Sequence, residues 1–294
     1  MSFIEYILRL LGLYHPATTT TTTPLNIDPP IIGGNVKKAF CFSINDYPGI
    51  QNDLKGCNND SKNWADLLKN SYGFSVNRII DSAVTRSTVI NTMTDLIVNS
   101  KEGDILVFTY SGHGTSIIDN SYDEINGKDE AICLYDDLLI DDDIRDIFNK
   151  LPKGVRLTFI SDSCFSGTVS RSFLNVMNDF TFISIPKYLP PKDDMEAIRT
   201  NSLPSLKAFA YPEEGMNHIL ISGTDDKSYS YDAEIDGEPA GAFSYYAIQV
   251  LKNNPHITYK DFYNKIREIL PSDRYLQSPQ VEGSEANKNS LMFE

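Results

Sequence analysis

Asp104–Thr115 reads DILVFTYSGHGT and Val155–Gly167 reads VRLTFISDSCFSG. Each stretch opens on an apolar run too continuous for a half-exposed strand, then breaks off into glycine and small polar residues. Two more runs of this kind, Val36–Ile44 (VKKAFCFSI) and Asn217–Ser222 (NHILIS), complete a set of four buried strands. Between them, Asp60–Asn70, Ser87–Asn99, Asp142–Lys150, Ala240–Asn253 and Tyr259–Leu270 carry apolar residues at helical spacing. This alternation predicts an α/β fold: an open, mostly parallel β-sheet with helices on both faces.

Ligands of such a sheet bind beyond the carboxyl ends of its strands. Two of those ends carry a histidine and a cysteine, His113 and Cys164, so a nucleophile and its general base are expected at one rim. Gly112 and Gly114 flank the histidine, and Ser166 and Gly167 follow the cysteine, leaving room for a substrate backbone. The other three histidines, His15, His218 and His256, lack this setting, and Cys41 and Cys133 lie in apolar runs that read as core.

Composition narrows the function further. The 294 residues hold 26 basic and 40 acidic side chains, a net charge of −14, which argues against nucleic acid as a main partner. Four scattered cysteines, Cys41, Cys57, Cys133 and Cys164, make neither a disulfide framework nor a zinc pair and suit a reducing, cytoplasmic setting. Phe3–Tyr14 is apolar but too short to span a bilayer, and Glu5 and Arg9 interrupt it as a secretion signal. It reads as an amphipathic helix docked on the protein, on a partner or on a membrane surface as a peripheral tether. Six threonines, Thr18 to Thr23, and Pro24, Pro29 and Pro30 then form a linker.

YSGHG, DSCFSG 51 residues later, ISGTDD and SPQVEGS together resemble the metacaspases, within the caspase-like cysteine peptidases, in a type I-like arrangement. A histidine about 50 residues before the nucleophile is the spacing known for caspases. The animal caspase pentapeptide is absent, and Asp162-Ser163-Cys164 stands in its place. The resemblance implies a caspase-like fold over 36–294: a large-subunit-like part 36–171, an intersubunit-like loop 172–216 and a small-subunit-like part 217–294, with 1–35 as N-terminal segment or prodomain. It implies Cys164 as nucleophile, His113 as base, and the N–H groups of Gly114 and Cys164 as oxyanion donors. No acidic third member stands out, and a backbone carbonyl is left to orient the imidazole.

By the same resemblance, Cys57, Asp60, Ser111 and Asp162 line the pocket for the residue before the cut, so protein or peptide substrates with Arg or Lys there are expected. Alternatively, Asp60 caps the helix beginning near Ser61 and Asp162 the one after Cys164. In Ser172–Met216, the basic residues Lys187, Lys192, Arg199 and Lys207 are equivalent candidates for self-cleavage.

Residues 119–146 hold 11 acidic and two basic side chains, −9 of the total charge. Such a run is a solvated face or a site for Ca²⁺, and an EF-hand fails because Glu124 replaces its glycine. The resemblance implies a calcium-activation site at Asp129, Asp141 and Asp142, whose fourth acidic position is here Arg171. It also implies a monomer. Two rivals remain at this level: a caspase-fold scaffold recruiting partners through residues 1–30, and a calcium-responsive regulator.

Overall fold

The apolar runs form the sheet expected of them. In chain order the strands are β1 Lys37–Ser43, β2 Ser75–Ile80, β3 Ile105–Ser111, β4 Gly114–Ile118, β5 Lys128–Cys133, β6 Leu138–Ile140, β7 Arg156–Asp162, β8 Ile185–Pro186, β9 Ile219–Ser222, β10 Tyr231–Ile235, β11 Glu238–Gly241 and β12 Gln280–Glu282. The helices are α1 Cys57–Tyr72, α2 Arg86–Val98, α3 Asp141–Phe148, α4 Ala242–Asn253, α5 Tyr259–Ile269 and the single turn α6 Glu285–Lys288. This computed structural model describes residues 35–118, 128–164, 184–190, 213–225 and 228–294, all within the second of two units, 33–294.

Six strands make the central sheet in the order β12-β9-β7-β3-β1-β2, parallel except for the edge strand β12. Alternate side chains leave it on opposite faces, as the pleat requires. Ala39, Cys41, Val107, Ile160 and Ile221 face one side and pack with Trp64 and Leu68 of α1, Phe243 and Leu251 of α4 and Phe262 of α5. Phe42, Leu106, Phe108, Leu157 and Phe159 face the other and meet Val89 and Met93 of α2 and Ile147 and Phe148 of α3. Each fully buried side chain of this size contributes about 1.5–3 kcal/mol, so the two apolar layers hold the rim of the sheet rigidly.

Two small sheets stand at that rim: β4-β5-β6, which follows His113 directly, and β11-β10-β8. The second corrects the reading of Ser172–Met216 as loop throughout. Ile185–Pro186 pairs antiparallel with β10, an edge position that tolerates the missing N–H of Pro186. Its shortness hid it: two residues give no period.

Residues 3–14, the threonine linker and Arg171 lie outside the described residues. Among the described residues, no helix is long and apolar enough to cross a membrane.

Candidate active site

β3 and β7 are parallel neighbours with Ser111 opposite Asp162, so the chain leaves both strands at one edge of the sheet. Gly112-His113-Gly114 follows the first and Ser163-Cys164 the second. A Cβ on Gly114 would lie 2.2 Å from the Cys164 carbonyl oxygen, so glycine alone lets the two segments come this close.

Lys187 fills the space between them. Its carbonyl oxygen accepts two backbone N–H groups, from Gly114 at 2.9 Å and from Cys164 at 3.1 Å. Its side chain is fully buried, with Nζ 2.9 Å from Ser111 Oγ, 3.1 Å from Asp60 Oδ2 and 3.1 Å from Asp162 Oδ1. Three acceptors thus meet the three protons of one ammonium. Burial alone would strip that proton, but Asp162 and Asp60 outweigh it and hold the Lys187 ammonium well above its ordinary range. Burial raises Asp60 to about 6, with the Lys187 charge opposing. Cys57, also buried, lies close enough to feel the same ammonium.

The two aspartates cap a helix distant in sequence. α1 begins at Cys57, upstream of Asp60, and both carboxylates serve the amino end of α4. Asp60 Oδ1 accepts Gly241 N–H at 2.8 Å, while Asp162 Oδ2 accepts Ser244 N–H at 3.0 Å and Ser244 Oγ at 2.6 Å. Asp162 Oδ1 also accepts Ser230 Oγ at 2.5 Å. Orphan donors and the positive end of the helix dipole therefore stabilise the two buried charges that hold the lysine. The segment after Cys164, where Asp162 was the alternative cap, lies outside the described residues.

His113 is 3 % exposed, and its Nε2 is 2.8 Å from the carbonyl of Asn52. A carbonyl only accepts, so Nε2 carries the proton and Nδ1 keeps its lone pair; Nδ1 has no hydrogen-bond partner among the described residues. Burial lowers the imidazole to about 4, the Asn52 carbonyl opposing and the Lys187 charge adding to the effect. Cys164 is fully buried as well, and burial pushes its thiol far up. The sulfur is not hydrogen-bonded to the imidazole. It donates to Ser230 O at 3.1 Å and accepts Ser230 N–H at 2.7 Å. With Lys187 in place, thiol and imidazole are both neutral, which is an unreactive pairing.

The expected calcium positions lie on adjacent segments, since β5 pairs antiparallel with β6 and Ala131 stands opposite Ile140. Asp129 is buried on β5, Asp141 and Asp142 open α3, and Asp142 is paired with Arg145. Among the described residues, no three His, Cys, Asp or Glu side chains come together to hold a metal. Arg171, the fourth position of the expected calcium site, lies outside the described residues, and no chemical step is routed through a metal ion.

The caspase domain family matches residues 36–290. Metacaspase-1 of Scheffersomyces stipitis is 30% identical, covering 87% of this chain and 73% of that protein, and Metacaspase-1 of Saccharomyces cerevisiae is 30% identical over 87% and 68%. The crystal structure of a Geobacter sulfurreducens protein superposes with a TM-score of 0.65 at 26% identity, covering 88% of this chain and 98% of that one. The chain belongs to the caspase-domain peptidases and, within them, to the metacaspases. Its activity is that of a cysteine-type peptidase, and its substrates are proteins.

Several residues of this site escaped sequence reasoning. Asn52 contributes only a backbone carbonyl, which no side-chain pattern announces. Asp232 of β10 accepts Lys55 N–H at 2.6 Å and Gly56 N–H at 2.8 Å, fixing the start of α1 from about 180 positions away in the chain. Tyr47 Oη accepts the His113 N–H at 2.8 Å, and its ring lies 4.8 Å from the imidazole.

Proposed function

We propose that this chain is an endopeptidase cutting after Lys or Arg through Cys164 and His113, that residues 184–190 hold it latent, and that its first cut falls after Lys187. The position of Lys187 supports this reading: its carbonyl lies on two converging backbone donors and its ammonium between two aspartates. A peptide substrate with a basic residue before the cut would meet the same groups.

The chemistry follows from the site. Once water reaches the pair, His113 Nδ1 takes the thiol proton and the thiolate attacks the Lys187 carbonyl carbon. Charge developing on the oxygen is held by the Gly114 and Cys164 amides, each such donor being worth about 10²-fold or more in rate. The Lys187–Tyr188 bond breaks as Nδ1 returns its proton to the Tyr188 nitrogen, leaving a thioester between Cys164 and Lys187. Water, deprotonated by the same imidazole, hydrolyses that thioester and restores the thiol. The Asn52 carbonyl keeps the ring in the tautomer this needs.

A fluorogenic peptide panel with Lys, Arg or Asp before the cut tests this, run on wild type and Cys164→Ala with calcium and with chelator. Cys164-dependent release from the basic peptides alone supports it; release from the acidic peptide, or none, rejects it. The paired chelator runs decide calcium dependence separately.

A further inference from the structure

The segment around Lys187 changes partner at the cut. Before it, the chain runs antiparallel on β10, with Pro186 opposite Tyr231, Ile185 opposite Asp232, and Lys187 N–H donated to Ser230 O at 2.9 Å. After it, the chain runs parallel to β4: Tyr188 bridges Gly114, and Leu189 N–H is donated to the Gly114 carbonyl at 3.0 Å. Gly114 therefore grips both sides of the Lys187–Tyr188 bond, its N–H on the Lys187 carbonyl and its C=O on the Leu189 amide. Leu189 is half-buried and packs on the apolar layer beneath, as Ile185 does on the other side.

We infer that β4 forms a substrate subsite beyond the cut, which takes the second residue after the scissile bond through its N–H and an apolar side chain. The inference rests on the proposed reading of Lys187 as the residue before the cut. Strand addition of this kind draws affinity from main-chain hydrogen bonds and selectivity from the pockets under alternate side chains. Its chemical signature is a required N–H: proline or an N-methylated residue two places after the cut removes the bond to Gly114. By contrast, the second position before the cut needs none, because Pro186 occupies it here.

The test uses the full chain and internally quenched peptides built on Ile-Pro-Lys-Tyr-Leu-Ala. Replacing Leu by N-methyl-Leu should lower kcat/KM about fivefold or more, the weight of one hydrogen bond. Replacing it by Asp should lower kcat/KM as well, while replacing Pro by Ala should change it less than twofold. Equal rates for Leu and N-methyl-Leu would overturn the inference and leave the peptidase reading standing. No Cys164-dependent cleavage of any peptide would overturn both.

Discussion

The carbonyl oxygen of Lys187 lies 3.1 Å from the backbone nitrogen of Cys164, the cysteine that follows β7 beside the histidine loop. A lysine from the chain's own middle thus lies against both reactive segments, and the burial of Cys164 and His113 themselves keeps thiol and imidazole neutral, with the Lys187 charge opposing this at the thiol and adding to it at the imidazole.

Replacing Lys187 by Gln should release this hold. Asp60 and Asp162 lose their counter-charge, and an uncompensated buried pair costs about 3–5 kcal/mol when the structure cannot open around it. Here the segment can lift off and rehydrate them. The expected result is peptide cleavage without a lag and a segment newly sensitive to added protease, read by peptide assay and limited proteolysis.

Gly241→Ala should fill the pocket. Its Cβ would stand 2.3 Å from both Lys187 Nζ and Asp162 Oδ2 and 2.5 Å from Asp60 Oδ2. A rise in KM for peptides with a basic residue, of tenfold or more, is expected in steady-state kinetics. Unchanged KM would mean that the basic residue binds elsewhere.

Tyr47→Phe removes the acceptor of the His113 N–H and strands a buried donor, a loss of about 1–3 kcal/mol. Denaturant unfolding should show this decrease, and kcat should fall with it as the imidazole loses its support.

In intact protein carrying Cys164→Ala, His113 should titrate near 4, because burial disfavours the imidazolium. Its folded-state value lies below the ordinary 6.5, so the closed form binds fewer protons between those limits. Falling pH through that window therefore favours the open form. Proton NMR of the histidine rings checks this, with His218, lowered to about 4 by its own burial, as internal reference. A His113 midpoint near 6.5 in the closed chain would contradict it.

Much of this was legible before any fold was known. β1, β3, β7 and β9 announce themselves because strands buried on both faces are continuously apolar, and the residues after two of them carry the chemistry. β2, with SVNRII at the sheet edge, mixes exposed Ile80 with polar residues and gives no such run. Lys187 could not be told from Lys192, Arg199 or Lys207, since what singles it out is pairing with residues about 25 to 130 positions distant. Asp60 and Asp162 were found as a pair, but their common support, the amino end of α4, lies far away in sequence. Charge density singles out the 119–146 segment and the resemblance singles out Asp129, Asp141 and Asp142, while the convergence of ligands that a cation needs is a three-dimensional property that neither supplies.

Mass spectrometry of the purified full chain, followed over time and over a range of protein concentrations, tests the central claim most directly. The expected result is one early cut between Lys187 and Tyr188, first order and independent of concentration, and absent in Cys164→Ala. A first cut after Lys192, Arg199 or Lys207, a rate that rises with concentration, or cleavage that survives loss of Cys164 would contradict it.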